Sequence, residues 1–95
     1  MSIKLQQLQH FVMVVEEGGF RAASHRANRS QAALSTSIKE LEKRLGQPLF
    51  ESGNKTKLTP FGSLCLPKTI QFLNVYNAFD HDLKTTAAGQ QGKVR

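Results

Sequence analysis

The chain has 95 residues, with 13 lysines and arginines against 7 aspartates and glutamates, for a net charge of +6 at pH 7. This length leaves room for one small domain. A single cysteine excludes an internal disulfide framework and favours a reducing, cytoplasmic setting. The longest apolar run, residues 11–15, is too short to cross a membrane. A strongly basic chain favours a polyanionic partner.

The first predicted element is a helix that ends at Gly18 and Gly19, because paired glycines interrupt helices. Its inner side is formed by apolar residues at helical spacing: Leu5, Leu8, Phe11, Val12 and Val15. We expect His10 on the rim of this helix, with no ligand partner one turn further on.

A short helix over residues 20–27 and a longer one over residues 30–46 are predicted next, separated by a tight two-residue break. Ser30 can cap the longer helix and Gly46 can end it. One stripe of the longer helix is apolar and predicts its core side: Leu34, Ile38, Leu41 and Leu45. A helix, a short turn and a longer helix form the helix-turn-helix arrangement, whose second helix enters the major groove of DNA.

The other side of this longer helix is small and polar at its beginning and basic further on. At about 100° per residue, that side comprises Ala32, Ser35, Thr36, Lys39 and Lys43. Such a surface suits insertion into a DNA groove, where short side chains let the helix approach the bases. Residues 20–60 hold eight basic and three acidic side chains, a net charge of +5. A solvated surface helix is the alternative interpretation.

Gln47 and Pro48 end the helical pattern, because proline lacks the backbone N–H. Two short apolar pieces, residues 49–50 and Leu58, then flank a polar turn and predict a small hairpin. A hairpin after a helix-turn-helix is a wing, and its tip spans residues 51–57. The tip carries two lysines that are placed to contact phosphates or the minor groove: Lys55 and Lys57.

A long helix is predicted from Pro60 to about residue 86, with the Thr59 hydroxyl as its cap. Glycines at 89 and 92 are expected to end it in a flexible tail. Two apolar ridges follow this helix: Leu66, Ile70 and Leu73 on one, and Phe72, Tyr76, Phe79 and Leu83 on the other. Part of this surface can pack on the first helix, and the rest predicts a homodimer with a second chain.

A spaced pattern over about residues 3–62 resembles the N-terminal DNA-binding domain of LysR-type transcriptional regulators. It is carried by Leu5-x-x-Leu8-x-x-Phe11, Glu17-Gly18-Gly19-Phe20, Ala22-Ala23, Ser30-Gln31-x-Ala33-Leu34-Ser35-x-x-Ile38-Lys39-x-Leu41-Glu42-x-x-Leu45-Gly46-x-x-Leu49-Phe50 and Leu58-Thr59-x-x-Gly62. The departures are Gly19 where the family has serine, Ala27 for leucine, Ala32 for proline, Thr36 for arginine and Ser52 for the first arginine of the wing.

The resemblance implies a mainly α fold, a winged helix-turn-helix over residues 1–59 with a dimerising linker helix over residues 60–88. Residues 89–95 would be a tail toward an effector-binding domain that the chain lacks. The implied partners are double-stranded promoter DNA and a second copy of the chain, with a tetramer for the full-length protein. No cofactor is expected in this chain, and a small-molecule inducer is expected only in the other domain.

We therefore predict that the helix over residues 30–46 reads the major groove and that the wing tip contacts the minor groove or phosphates. The candidate DNA-binding residues are Arg29, Ser30, Gln31, Ala32, Ser35, Thr36, Lys39, Lys43, Lys55 and Lys57. Gln31 and Ser35 match the family pattern, whereas Thr36 and Lys39 follow from helix geometry. The candidate dimer interface is Leu66, Ile70, Phe72, Leu73, Tyr76, Phe79 and Leu83.

Two other classes of function stay open at this point. One is a non-specific winged-helix protein of the nucleoid type, and the other is an enzyme fragment or a helical adaptor for protein interactions. We expect no enzyme, because no metal-ligand spacing, nucleophile–base pair or phosphate-binding glycine loop is present. The three histidines, which are far apart in the sequence, are His10, His25 and His81.

Overall fold

The computed structural model describes residues 2–54 and 56–92, with side chains as far as residue 89. Four helices follow one another in this part of the chain: α1 (Leu5–Glu17), α2 (Phe20–Ala27), α3 (Gln31–Leu45) and α4 (Pro60–Gly92). The first three pack together, and α4 begins on α1 and then projects, which gives extents of 61 × 25 × 23 Å. The predicted winged helix-turn-helix with a long following helix is confirmed.

The C-terminal ends of α1, α2 and α3 lie where the sequence predicts them. Gly18 and Gly46 end α1 and α3 in the left-handed conformation, with φ of 80° and 81°. Asn28 ends α2 in the same region, with φ of 57°, which asparagine tolerates better than most residues. At the start of α1, the buried Gln7 side chain accepts the backbone N–H of Lys4 at 3.1 Å.

The core is apolar and joins all four helices to the start of the wing. The apolar stripe of α3 is covered as predicted, with Leu34, Ile38 and Leu41 buried and Leu45 half-buried. Phe50 meets Phe11 and Phe20 edge-to-face, with ring centroids 5.7 Å and 5.8 Å apart. These contacts hold the first arm of the wing against the helix-turn-helix.

Helix α1 is buried on more of its circumference than its apolar stripe indicates, since α2, α3 and α4 all pack on it. The prediction that His10 lies on the rim is wrong. His10 is 4% exposed, and its Nδ1 lies 2.7 Å from Oγ of Ser37 on α3. Burial, followed by the nearby charge of Arg29, lowers the pKa of His10.

The start of α4 is hydrogen-bonded to Pro48 and Leu49, where the first arm of the wing begins. The Thr59 hydroxyl accepts the N–H of Gly62 at 2.9 Å and donates to the carbonyl of Pro48 at 2.7 Å. Gly62 lies directly against the carbonyl of Leu49, where a Cβ would overlap the oxygen. The predicted hydroxyl cap is confirmed, and the Leu49 carbonyl leaves no room for a Cβ at Gly62.

Helix α4 is longer than the sequence predicts. It continues through Gly89 and ends at Gly92, so the predicted tail over residues 89–95 is wrong for residues 89–92. Residues 93–95 lie outside the described part. A single glycine costs a helix only about 1 kcal/mol relative to alanine, which the neighbouring turns can offset. No helix in the described part is long and apolar enough to cross a membrane.

Candidate nucleic-acid interface

The turn between α2 and α3 is held by backbone hydrogen bonds and by the Ser30 cap. Arg29 donates its backbone N–H to the carbonyl of Ser24 at 3.0 Å, across the left-handed Asn28. The Ser30 hydroxyl accepts the N–H of Ala33 at 3.0 Å, as predicted. This compact turn presents the N-terminus of α3, with its free N–H groups, on the outside of the domain.

Three hollows adjoin one another along the outer side of α3. The first, of about 560 Å³, lies at the helix N-terminus and is lined by Ser24, His25, Asn28, Arg29, Ser30 and Gln31. The second, of about 440 Å³, lies between α2, α3 and the wing tip and is lined by Phe20, Arg21, Gln31, Ala32, Ser35 and Thr56. Because Gln31 lines both, the two hollows form one continuous surface.

The third hollow, of about 310 Å³, lies between α3 and the base of the wing. Phe20 and Ser35 line it as well as the second hollow. Its polar lining is formed by Ser35, Lys39, Glu42, Glu51 and Ser52. We call the three hollows together the α3 groove, an open channel that runs from the N-terminus of α3 to the wing.

The α3 groove collects six of the ten candidate DNA-binding residues, namely Arg29, Ser30, Gln31, Ala32, Ser35 and Lys39. Thr36 and Lys43 are exposed on α3 but line none of the three hollows. Thr36 follows Ser35 by about 100° around the helix axis, which turns it away from the wing. Lys57 is exposed on the wing, and Lys55 lies outside the described residues, so its role stays a prediction.

Several groove residues escaped the sequence prediction, and two of them lie beside the first turns of α3. Arg21, at the start of α2, and Thr56, on the wing, line the same hollow as Gln31 and Ser35. They are separated from α3 in the sequence, so only the folded chain brings them beside it. The basic character of Arg21 is the one signal that the sequence offers for its role.

The predicted wing is present, although it is shorter than a regular hairpin. Phe50 and Leu58 form an isolated antiparallel bridge, and Glu51 donates its N–H to the carbonyl of Lys57 at 2.8 Å. At the tip, the Asn54 side chain accepts both the N–H and the hydroxyl of Thr56, at 3.1 Å and 2.7 Å. These local bonds order the tip without a longer strand ladder.

Charged side chains of the helix-turn-helix separate into a paired set away from the α3 groove and lysines beside it that form no ion pair with the described residues. Arg26 on α2 donates to Glu16 at 2.7 Å and to Glu17 at 3.1 Å, and these bonds, Glu16 first, raise the pKa of Arg26. The ion pairs in the described part of the chain do not involve Lys39 or Lys57. Lysines without carboxylate partners beside an open groove attract an anion.

The second candidate surface is the apolar side of α4. Phe72, Phe79 and Leu83 are 48%, 58% and 53% exposed, and Tyr76 lies half-buried beside Phe72 with ring centroids 6.5 Å apart. Val75, which the prediction omitted, is 64% exposed.

The other predicted ridge of α4 turns toward its own chain. Leu73 is only 8% exposed, and Leu66 packs against the core, so assigning Leu73 to an interface between chains was wrong. Ile70 is half-buried and, with Leu73, lines a hollow between α1 and α4. The ridge is covered because α1 packs on the first turns of α4.

Among the residues that the structure describes, no group of three or more histidine, cysteine, aspartate or glutamate side chains is arranged to hold a metal ion.

Comparison with known proteins identifies similar chains. Residues 5–63 match the model of a family described as bacterial regulatory helix-turn-helix proteins of the lysR family. The chain is 32% identical over 94 residues to the HTH-type transcriptional regulator TfdT of Cupriavidus pinatubonensis, covering 98% of this chain and 41% of TfdT. It is 37% identical over 90 residues to the regulator YtlI of Bacillus subtilis, covering 92% of this chain and 29% of YtlI. The chain thus spans less than half the length of these relatives.

Solved structures show the same arrangement of helices. The BenM DNA-binding domain in complex with catB site 1 DNA superposes with a TM-score of 0.83 at 34% identity, over 92% of this chain and 95% of that one. Vibrio fischeri DarR in complex with DNA superposes with a TM-score of 0.85 at 25% identity, over 93% of this chain and 30% of DarR.

Proposed function

The chain belongs to the lysR family of bacterial regulatory helix-turn-helix proteins, and we propose that it binds double-stranded DNA sequence-specifically as the DNA-binding domain of a LysR-type transcriptional regulator. The observation that carries this proposal is the α3 groove, an open channel with a helix N-terminus at one end and a wing at the other. A duplex fits such a channel, with α3 in the major groove and the wing beside it.

Recognition of bases is assigned to the first turns of α3. Gln31 follows the Ser30 cap and is exposed where two hollows meet. Its amide can donate to and accept from adenine at the same time, which discriminates against other bases by about 1–3 kcal/mol. Thr36 is too short for the bidentate guanine contact that an arginine makes, so an A·T preference is expected at that step.

Contacts to the DNA backbone are assigned to the flanks of the groove. Arg29 and the free N–H groups of α3 suit a phosphate at one end, and Lys39 suits one along the helix. On the wing, Lys57 is exposed toward solvent and Thr56 lines the groove. Affinity falls with salt, and each lysine that neutralises a phosphate should make the negative slope of log affinity against log salt concentration steeper by about 0.9.

The test begins with duplexes that the unaltered chain selects from a random-sequence pool. Base recognition predicts that Gln31→Ala loses preference at one or two positions of the selected site and keeps nearly all of its affinity for shuffled duplexes. Gln6→Ala is the matched control, because Gln6 is an exposed glutamine on α1 that lines none of the three hollows. Fluorescence anisotropy on single-base variants measures both affinities.

Two results would contradict this assignment. An equal loss of affinity for every duplex reduces Gln31 to a phosphate contact. A selection that enriches no sequence favours the non-specific, nucleoid-type alternative.

We also propose that the chain binds DNA as a homodimer through the apolar side of α4. The support for this proposal is an exposed row of large apolar side chains on a projecting helix. Burying one such side chain fully contributes about 1.5–3 kcal/mol to association. Phe72→Ala combined with Phe79→Ala should shift the chain toward monomer in sedimentation and weaken its binding to a duplex with two half-sites. Thr85→Ala, an exposed change on the opposite side of α4, should do neither. An unaltered chain that sediments as a monomer when concentrated would contradict the proposal.

For a full-length regulator that carries this domain, we propose two such dimers on neighbouring half-sites of a promoter. A small-molecule inducer would act through a part of the protein other than these helices. Deletion of one half-site from the promoter duplex tests this assembly. If the two dimers bind as a tetramer, the affinity should fall by more than it would if each dimer bound its half-site independently.

A further inference from the structure

The carboxylate of Glu42, on the side of α3 that borders the wing, is directed at the wing backbone. Its Oε2 accepts the backbone N–H of Leu49 at 2.7 Å and that of Phe50 at 3.3 Å. Hydrogen bonds to an ionised carboxylate are stronger than those between neutral groups. Glu42 is half-buried, so these bonds are partly shielded from water.

The two amides that Glu42 accepts belong to the first arm of the wing. Phe50 pairs with Leu58 across the wing, and the next residue, Glu51, donates its N–H to the carbonyl of Lys57 at 2.8 Å. Glu42 holds Phe50, and the neighbouring Glu51 is hydrogen-bonded to Lys57. The position of the Lys57 backbone therefore depends on Glu42 through Phe50 and Glu51.

Besides the pairing across the wing, this arm is hydrogen-bonded to the start of α4. Thr59 donates its N–H to the carbonyl of Leu49 at 2.9 Å and its hydroxyl to that of Pro48 at 2.7 Å. Glu42 supplies the hydrogen-bonded tie to α3. Apolar packing of Leu49 and Phe50 keeps the arm in the core but is less directional.

Glu42 carries a negative charge at the surface that is proposed to bind DNA. It lines the α3 groove together with Lys39, where a negative charge opposes the approach of a polyanion. Two N–H donors offset part of that charge, yet a carboxylate at this point would still be unfavourable for DNA binding if it had no other role.

From this geometry we propose, on the basis of the proposed DNA-binding function, that Glu42 is a positioning residue that sets the wing at a defined place relative to α3. With the wing so placed, α3 and the wing contact one duplex at the same time. The proposal concerns how the wing is held and does not make Glu42 a contact to DNA.

Glu42→Asp and Glu42→Gln separate positioning from charge. Asp keeps the charge but is one methylene shorter, so it loses the reach to the two amides. Gln keeps the length and a carbonyl acceptor but loses the charge. Positioning predicts that Glu42→Asp binds the selected duplex about three- to tenfold more weakly, on the scale of one hydrogen bond, and that Glu42→Gln stays closer to the unaltered chain. A purely electrostatic role predicts the reverse order, with Glu42→Gln tighter than the unaltered chain and Glu42→Asp equal to it.

Glu40 provides the matched control, because it is an exposed glutamate on the same helix that lines none of the three hollows. Glu40→Asp should leave affinity unchanged, and Glu40→Gln should raise it slightly through the lost charge. Circular dichroism and thermal unfolding confirm that each variant is folded at the temperature of the binding assay.

A double-mutant cycle with Lys57→Ala then tests whether Glu42 acts through the wing. If it does, Lys57→Ala costs less affinity, and changes the salt slope less, in the Glu42→Asp background than in the unaltered chain. Additive effects of the two changes, or the electrostatic order above, would overturn the proposal. If the unaltered chain itself showed no sequence preference, the proposed function would be refuted instead. Failure of the Glu42 proposal and failure of the proposed function are therefore distinguishable.

Discussion

Helices α3 and α4 both carry apolar residues at helical spacing, but α4 also has a second apolar ridge that its own chain leaves exposed. On α3, Leu34 and Leu41 are fully buried and Ile38 is 2% exposed. On α4, Leu73 is the last buried apolar side chain in the described part, and Val75, Phe79 and Leu83 beyond it are each more than half exposed. The two helices differ in position, since α3 packs between α1 and α2 whereas α4 projects beyond the other helices.

This difference separates two tasks within 95 residues. A helix whose apolar side is covered presents its polar side outward, where it can contact a ligand such as DNA. A helix whose apolar side stays exposed presents a surface for association with another protein. The predictions below test whether burial within the chain is the feature that distinguishes α3 from α4.

The largest expected effect comes from one substitution made in both helices. Leu41→Ala in α3 removes a fully buried side chain and should lower the free energy of unfolding by about 2–5 kcal/mol. Leu83→Ala in α4 removes a side chain that is 53% exposed and should change little when the protein is dilute. Urea denaturation at two protein concentrations measures both.

A dimer through α4 adds a concentration dependence to this comparison. Leu83→Ala should cost stability only at the higher concentration, where association contributes to folding. An equal loss for both leucines at both concentrations would mean that the apolar side of α4 is covered within one chain.

A second pair of substitutions changes glycine to alanine at the two ends of α4. Gly62→Ala places a Cβ against the Leu49 carbonyl and should destabilise the fold by about 1–3 kcal/mol through displaced backbone. Gly89→Ala meets open space and should instead stabilise the helix by up to about 0.5–1 kcal/mol. Thermal unfolding and helical circular dichroism report the two signs. The same sign at both positions would contradict the close approach at Gly62.

The smallest expected effect is a pH dependence that arises from a single side chain between α1 and α3. The pKa of His10 lies below the ordinary histidine value of 6.5, because burial and then the Arg29 charge favour the neutral ring. Below that ordinary value the unfolded chain binds a proton that the folded chain does not, so stability falls as the pH falls from about 6.5.

Replacement of His10 by Gln should remove this part of the pH dependence of the free energy of unfolding. Its matched control is His25→Gln, since His25 is exposed on α2 and its loss should leave the dependence in place. A dependence that persists unchanged in His10→Gln would contradict the assignment to His10.

Sequence patterns predicted the local features best. The Ser30 cap, the Gly46 terminus and the Thr59 cap all depend on residues within one turn of each other, so spacing alone identifies them. The continuation of α4 past Gly89 was missed because one glycine lowers helix stability without preventing a helix. The direction of the Leu66 and Leu73 ridge was also missed, since two ridges at helical spacing do not indicate which one meets α1.

The candidate interface was predicted in part, for a similar reason. Gln31, Ala32, Ser35 and Lys39 share one side of a single helix, so the geometry of that helix brings them together. Arg21 and Thr56 come from α2 and the wing, and no periodicity relates them to α3. The residue-level roles in DNA binding and dimerisation stay predictions that the substitutions above test.

By itself, the sequence determined the four helices except the end of α4, the caps at Ser30 and Thr59, the wing and the basic character of residues 20–60, because these depend on neighbours in the chain. Tertiary structure decided which polar groups are buried or paired. His10 meets Ser37 and Arg26 meets Glu16 only once the helices pack, and Glu42 meets the amides of Leu49 and Phe50 only once the chain turns back on α3. The physical reason is that burial and hydrogen bonding between distant residues depend on how the helices pack, which local spacing does not specify.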